Sequence, residues 1–369
     1  MPLIKQSAFI SQSPITVNIG GDGALSVQPF VMAPSLQLYV EGQLVGTRNG
    51  KYVQSLNYYS SFGGAVPVIT TISLPDLEGA YGDIFSSLQT SVTTIDAPEL
   101  VFGGGACFSG SGASSYAVLT SINLPKLVKM VGSSFLGLTA ANLTTLNLNS
   151  LVEALSISAT FNSLTALNLP SLKTLTSSLV FSSTSTTSIN LSSLVMMNDA
   201  ITITASLCTT LTLPTLGVWK VLRGNFTATT CAFNQTTVDN ILAALAYMDG
   251  TNGTFLFGSG RTVSITGTSS APSNAGSTTT PGSNFVGATT TCTVNLTSHG
   301  YTTGDVLRVS GITTLTNANR YAVITVVNAN QFTYAITSQT ATGAGTATIV
   351  KANASAKALV TRSVSLTTN

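Results

Sequence analysis

The chain has 369 residues, of which 14 are Lys or Arg and 12 are Asp or Glu, so 7 % are charged where a soluble domain averages about 25 %. Its net charge of +2 sits on scattered basic residues, which excludes the dense cationic face of a nucleic-acid binder. No apolar run of about 18 residues spans a membrane. An apolar share of 44 % argues against disorder, and 46 Ser with 57 Thr make hydroxyls the dominant polar group.

The start, Met1-Pro2-Leu3-Ile4-Lys5-Gln6, lacks the apolar stretch and cleavage site of a signal peptide. Residues 1–60 are expected to form a β segment. Ile15-Thr16-Val17-Asn18-Ile19 and Leu36-Gln37-Leu38-Tyr39-Val40 alternate as strands do, and Gly20–Gly23 and Glu41-Gly42-Gln43 supply the turns after them. The segment is expected to cap the first coil of a repeat that begins near residue 61. Leu36, Leu38 and Val40 are expected to dock the chain by adding a strand to a neighbour's sheet.

The repeat sets the architecture of residues 61–267. One phrase recurs: apolar, polar, apolar, usually Pro, any residue, Leu. It reads ISLPDL at Ile72–Leu77, IDAPEL at Ile95–Leu100, INLPKL at Ile122–Leu127 and LNLNSL at Leu146–Leu151. It continues as LNLPSL at Leu167–Leu172, INLSSL at Ile189–Leu194 and LTLPTL at Leu211–Leu216. The spacings are 23, 27, 24, 21, 22 and 22 residues, the period of leucine-rich repeats. Each phrase reads as a short strand with its outer residues turned inward. The Pro lacks an N–H and ends the ladder, and the last Leu turns back to the core. The seven phrases are expected to form one parallel sheet, with a second short strand at Leu155-Ser156-Ile157, Leu179-Val180-Phe181 and Ile201-Thr202-Ile203. The longest spacing holds a Gly/Ser-rich surface loop, Gly103–Ser115. It has no Lys-Ser/Thr ending and no helix behind it, so it is not read as a phosphate loop.

The stretch from Ile72 to Leu216 resembles the irregular leucine-rich repeats of the BspA-like class, found in bacterial surface proteins and phage proteins. The regular Asn ladder of the commoner repeat class is missing, which bears on curvature and not on the solenoid.

After the last phrase, Val238, Ile241, Leu242, Leu245 and Ala246 fall at helical spacing, predicting a capping helix over 237–248. Thr236 or Thr237 is expected to cap it, with Asp239 in the first turn and Asp249-Gly250 at its end. A strand pair is expected between Thr254–Phe257 and Ile265–Gly267. The composition of residues 268–283, TSSAPSNAGSTTTPGS, reads as a linker. A small all-β domain is expected over 284–351, folding alone, with strands Thr291–Leu296, Val306–Ser310, Tyr321–Asn328, Gln331–Ile336 and Thr346–Val350. Residues 352–369 read as a polar tail. The phrase Ser298–Val306, with Asn330-Gln331-Phe332-Thr333-Tyr334, resembles β modules of phage tail and fibre proteins. The phrase Ala271–Gly276 resembles a segment that ends repeats in phage tail proteins.

No catalytic set stands out. Ser298, His299 and Asp305 contain the residue types of a triad, but sequence neighbours rarely adopt its geometry, and His299 reads as a turn residue. The carboxylate pairs Asp76 with Glu78 and Asp96 with Glu99 are expected to be solvated, not glycosidase pairs. Cys107, Cys208, Cys231 and Cys292 have no metal-ligand spacing and read as free, mostly buried thiols of a reducing cytoplasm. No cofactor or metal is expected. The candidate binding strip is the polar middle residue of each phrase: Ser73, Asp96, Asn123, Asn147, Asn168, Asn190 and Thr212. In a parallel stack these lie about 4.8 Å apart, as a solvated Asn stack or as a face for a partner protein or glycan.

The fold expected is thus mainly β, a leucine-rich-repeat-like β-solenoid followed by a small all-β domain. The resemblances imply a non-enzymatic structural protein on the exterior of a tailed-phage virion, assembled in the host cytoplasm, as a tail fibre or host-surface-binding component. A capsid decoration protein and a bacterial surface adhesin are the alternatives. A depolymerase lacks clustered acids and aromatic platforms here, since Trp219 is the only Trp. The implied partners are other virion proteins, further copies of the chain (trimers are common among such proteins) and a host-surface glycan or protein.

Overall fold

The structure, a computed structural model, describes residues 70–368 except 81–84, 86–90, 105–107, 109–115, 132–134, 249–256, 258–259 and 362–363, and six strand segments within the first 69 residues. The chain is mainly β, with a β-solenoid of about six turns and a separate antiparallel half-barrel sheet. It divides into two compact units, Met1–Pro214 and Thr215–Asn369.

The first unit contains the solenoid. The phrase strands Thr71–Ser73, Thr94–Asp96, Ser121–Asn123 and Thr145–Asn147 pair in parallel, one coil on the next. In most phrases the two apolar residues and the closing Leu face the core. Ile95, Leu100, Ile122, Leu124, Leu127, Ile189, Leu191 and Leu194 are all buried. Each such side chain contributes roughly 1.5–3 kcal/mol, and stacking is what lets a coil offset its own ordering entropy. Two further parallel sheets complete the coils. One consists of two-residue strands, from Gly79–Ala80 through Phe102–Gly103, Lys129–Met130, Glu153–Ala154 and Thr174–Leu175 to Met196–Met197. The other consists of Phe135–Thr139, Ile157–Thr160, Leu179–Ser183 and Ile201–Ala205. The sequence suggests only this last sheet, and there the strand expected from Leu155 begins at Ile157.

Two expectations about the repeat are corrected. The phrases do not form one sheet: Ala166–Asn168, Ser188–Asn190 and Thr210–Thr212 form a separate three-stranded sheet. The seventh phrase also fails to turn inward, because Leu216 is 54 % exposed beside Gly217, which turns the chain with φ +86°. The Gly103–Ser115 loop lies mostly outside the described residues.

At the N-terminal side, Ser35–Val40 pairs antiparallel with Gln43–Asn49 and with Thr71–Ser73. The hairpin therefore continues the phrase sheet. This corrects the expected docking strand: Ser35–Val40 is paired along one edge with Gln43–Asn49 and at Tyr39 and Val40 with the first phrase strand, and Gln43–Asn49 is the edge strand. Thr16–Ile19 lies in another sheet, between Leu25–Val27 and Ser55–Tyr58.

In the second unit, Phe226–Cys231, Thr262–Gly267 and Ser365–Thr368 pair in parallel. Helix α1 spans Gln235–Tyr247. Its cap is Asn234, whose Oδ1 accepts the Thr237 N–H at 2.8 Å, rather than Thr236 or Thr237. Asp239 does not act as a free first-turn charge; its Oδ1 accepts the Ser273 N–H at 2.9 Å and Asn353 Nδ2 at 3.0 Å. Asp249-Gly250 and Thr254–Leu256 lie outside the described residues.

The half-barrel has eight strands, in the order Asn274–Pro281, Thr346–Ala352, Val306–Ser310, Tyr321–Asn328, Gln331–Ala335, Thr291–Asn295, Phe285–Ala288, Ala341–Thr342. The linker reading of 268–283 is thereby corrected, because residues 274–281 form the edge strand of this sheet, in register with Thr346–Ala352. The side chains described from Asn274 to Thr279 are exposed, so no apolar alternation marks the strand; backbone pairing makes it. The tail reading is corrected too. Helix α2, Ala354–Thr361, packs on α1, and Asn353 caps it by accepting the Ala356 N–H at 2.9 Å.

Asp305 ties α2 to the half-barrel. Its carboxylate is 6 % exposed and lies 2.7 Å from Lys351 Nζ and 3.7 Å from Lys357 Nζ. Burial pulls the carboxyl upward, but the Lys351 hydrogen bond, the Thr302 N–H and the Lys351 charge outweigh it and hold it below its ordinary value. A depressed carboxyl contributes stability above the unfolded-state value of about 4 and loses it as pH falls through the folded one. The wild-type melting temperature should therefore drop between neutral pH and about pH 3. Asp305→Asn should melt lower at neutral pH and show a flatter profile, as read by calorimetry. Parallel profiles would remove Asp305 from the linkage.

Candidate functional site

The polar middle residues of the phrases stand where a parallel stack puts them. In the first sheet Ser73, Asp96, Asn123 and Asn147 are in register, and in the second Asn168, Asn190 and Thr212 are. The amides form a directional ladder. Asn123 Nδ2 donates to Asp96 Oδ1 at 2.7 Å, Asn147 Nδ2 to Asn123 Oδ1 at 2.9 Å, and Asn190 Nδ2 to Asn168 Oδ1 at 2.8 Å. Each Nδ2 donates toward the N-terminal coil. Asp96 suits the receiving end because a carboxylate accepts without having to donate.

The seven positions are not one continuous strip. Between Asn147 and Asn168 the ladder slips: Asn168 Nδ2 donates to Asn149 Oδ1 at 3.3 Å. Asn147 Oδ1 is left buried without a partner. Asn149 stands where Pro75, Pro98, Pro125 and Pro170 stand in other phrases. Its amide captures the rung. Among the described residues the backbone ladder is broken at the same step, and Leu146 is half-buried where Ile122, Leu167 and Ile189 are buried. Ser192 also replaces a Pro, but its N–H donates to Asn190 Oδ1 at 3.0 Å and leaves the stack intact.

Asn149→Pro should repair the defect. Asn149 opens the same two-residue turn that Pro75 opens in the first phrase, so Pro is compatible there. The expected gain is about 0.5–1 kcal/mol, from a stiffer unfolded chain and a direct Asn168–Asn147 rung. A higher denaturant midpoint at unchanged slope is the readout. A lower midpoint would show that Asn149 holds the turn.

A second ladder runs beside the first, and the polar-middle column does not reveal it. Two residues before every phrase stands a Thr: Thr70, Thr93, Thr120, Thr144, Thr165, Thr187 and Thr209. Thr93 Oγ1 donates to Thr70 O at 3.0 Å, Thr120 to Thr93 O at 3.0 Å and Thr144 to Thr120 O at 3.2 Å. Thr187 donates to Thr165 O at 3.2 Å and Thr209 to Thr187 O at 3.4 Å. Seven Thr at one offset is a periodic sequence signal, found by aligning hydroxyls as well as apolar residues. Among the described residues no such rung joins Thr165 to Thr144, which places the slip in both columns.

The catalytic alternatives are not assembled. His299 Nδ1 accepts the Tyr301 N–H at 3.0 Å, and Nε2 donates to Asn328 O at 3.0 Å. Those partners demand one neutral tautomer and use both nitrogens. The ring also stacks on Tyr301 and meets the edge of Phe332. Asp305 is held by Lys351 and the Thr302 N–H, not by His299. Asp96 accepts Asn123, and Glu99 pairs with Lys126 one coil further on, at 2.7 Å, so these two carboxylates are engaged with different partners. Cys208, Cys231 and Cys292 are buried, and burial pushes the Cys292 thiol up, away from the reactive thiolate. Cys107 lies outside the described residues. Among the described residues no cluster of His, Cys, Asp or Glu could hold a metal ion, and no helix is long and apolar enough to cross a membrane.

Fold and ladder together define the class: a β-solenoid protein with an ordered face of amides and hydroxyls, joined to an antiparallel half-barrel. Comparison with protein-family models, with curated proteins and with solved structures finds no match to the chain.

Proposed function

We propose that the chain is a non-enzymatic structural protein on the exterior of a tailed-phage virion, a tail fibre or host-surface-binding component. The observation that carries this reading is the double ladder. The amides of Asn123, Asn147 and Asn190 donate to the side chain of the coil before, and the hydroxyls from Thr93 to Thr209 donate to its backbone carbonyls. Side chains spent on the neighbouring coil in this way stiffen a long face instead of converging on a reacting atom. The low charge supports close packing with copies of itself or with other virion proteins, because little repulsion opposes association. The phrase resemblances in both the repeat and the half-barrel supply the phage context, with assembly in the host cytoplasm and a host-surface glycan or protein as the outward partner.

The test is particle incorporation. Labelled antibody should decorate purified virions, and deleting residues 1–60 should abolish incorporation. Absence from purified particles would overturn the reading. Normal incorporation of the truncated chain would move the docking contacts away from Gln43–Asn49.

A further inference from the structure

The half-barrel ends on a long edge strand. Asn274–Pro281 is eight residues long and pairs with Thr346–Ala352. Among the described residues no second strand borders it. The opposite edge of the sheet, Ala341–Thr342, is two residues long, and shortness is one way a sheet keeps its edge from recruiting another chain. Charge, bulges and Pro are others. The long edge, NAGSTTTP, has no charge. Its bulge falls between Asn274 and Ser277, and its Pro stands at the last position, so Ser277–Thr280 has none of these devices.

Register shows which backbone groups face outward. In an antiparallel pair, facing residues alternate between those that exchange both hydrogen bonds and those whose N–H and C=O point away from the partner. The Gly282 N–H donates to Gly345 O at 2.8 Å, one step beyond the pair Pro281–Thr346. The bonded pairs are therefore Thr280–Ala347 and Thr278–Ile349, and Ser277 and Thr279 turn their N–H and C=O outward. The far side of Thr346–Ala352 requires the same phase. The Val309 N–H donates to Arg320 O at 2.9 Å, so Val309 bonds toward Tyr321–Asn328 and leaves Arg308 and Ser310 to bond Val350 and Thr348. Those two are the residues opposite Ser277 and Thr279. The side chains of Ser277, Thr278 and Thr279 are exposed, whereas Thr280 is buried and accepts Asn284 Nδ2 at 2.7 Å, which anchors the strand.

A second copy of the strand fits this edge. About a two-fold axis at Thr278, Ser277 of one copy lies opposite Thr279 of the other, and each outward N–H meets an outward C=O. Thr278 faces its own counterpart with the Cα atoms about 4.5 Å apart, in the closer, non-hydrogen-bonded type of pair. Facing Ser and Thr hydroxyls stabilise such pairs, and like charges directly opposite destabilise them. A strand pairs with itself only where no residue repels its own copy, and the uncharged sequence meets that condition. A strand of another protein would be selected by pockets for its alternate side chains, whereas Ser277, Thr278 and Thr279 present small, exposed hydroxyls.

We propose that the chain self-associates through this edge, with Ser277–Thr279 of two copies pairing antiparallel across a two-fold axis at Thr278 and joining the half-barrels into one continuous sheet. The interface rests on the half-barrel alone, so its test is separate from incorporation into a particle.

Sedimentation equilibrium of the full-length chain reads the association. The wild type should show a reversible monomer–dimer equilibrium, with the Ser277 and Thr279 amides exchanging more slowly as concentration rises. Thr278→Lys, at an exposed position, sets two ammonium groups face to face. It should weaken the dimer about tenfold or more, with the melting temperature of the dilute chain unchanged. Thr278→Glu should weaken it likewise, and an equimolar mixture of the two variants should restore association, because each pair then joins opposite charges. Thr279→Pro removes an outward N–H and leaves the ladder to Thr346–Ala352 intact, so it too should weaken the dimer; if that variant unfolds, the charged pair still decides. A wild type that is monomeric at every concentration, undiminished association in Thr278→Lys, or a mixture no more associated than its components would each overturn the proposal.

Discussion

Leu169→Asp should abolish cooperative folding of the solenoid unit. Leu169 is 1 % exposed, with Leu148 and Leu191 at the same phrase position in the coils on either side, also buried. Its own N–H already donates to Asn190 O at 3.1 Å, so the substitution changes the side chain alone. A carboxylate there would lie between two layers of leucine with no cation to pair with. The cost is on the order of 3–5 kcal/mol or more, set against a total stability of roughly 5–15 kcal/mol. In a solenoid each coil is held by its neighbours, so the loss of one interface passes along the stack. Leu169→Ala, which removes bulk without adding charge, should cost about 2–5 kcal/mol and keep a cooperative melt. Circular dichroism on heating distinguishes the three proteins. A wild-type melting temperature in Leu169→Asp would mean that this position is not in a core.

Truncation after Ala352 has the second largest expected effect. The lost segment is no arm. It carries Ala356, Leu359, Val364 and Leu366, all buried, and the strand Ser365–Thr368 that pairs with Thr262–Gly267. Three of these side chains are larger than Ala, and each contributes roughly 1.5–3 kcal/mol when buried. Asp305 loses Lys357 as well, and Asp239 loses Asn353. The truncated chain should show a melting temperature lowered by well over 10 °C, at about 2–4 °C per kcal/mol for a unit of this size, together with faster proteolysis of the second unit. A fragment of residues 284–351 keeps the whole half-barrel core, from Phe285 to Ile349, so it should fold alone, with a lower melting temperature because it lacks the edge strand Asn274–Pro281 and the C-terminal segment. A collapsed, poorly dispersed amide spectrum from that fragment would show that the missing segments are needed.

Periodicity separates what could be read from what could not. The apolar positions of the phrases are legible because the same burial recurs every 21 to 27 residues, and repetition makes a three-residue strand visible where a single copy would not be. The slip at Asn149 leaves a trace in the same register, as an amide in a Pro position, but its effect depends on which oxygen the Asn168 amide reaches. The spacing between coils decides that.

Residues 274–281 and 353–368 carry no such signal, for the opposite reason. They occur once, and they are short. An edge strand with exposed hydroxyls and an eight-residue helix have no pattern long enough to reveal a period. The docking strand is misplaced by the sequence because alternation marks a strand without saying whether its edges are free. Local chemistry can be judged in part from the chain: the crowding of Ser298, His299 and Asp305 already argues against a triad, and the geometry occupies His299 with backbone partners instead. Arg308 and Tyr321 stand opposite one another only through antiparallel pairing, across a stretch that includes the buried Val309, Ile312, Leu315 and Ala318, and no local pattern marks that pairing. Burial repeated along the chain determined the solenoid by itself. The breaks and the edges were decided by pairing between distant segments, because hydrogen-bond partners and buried charges are properties of what lies next to a residue in space.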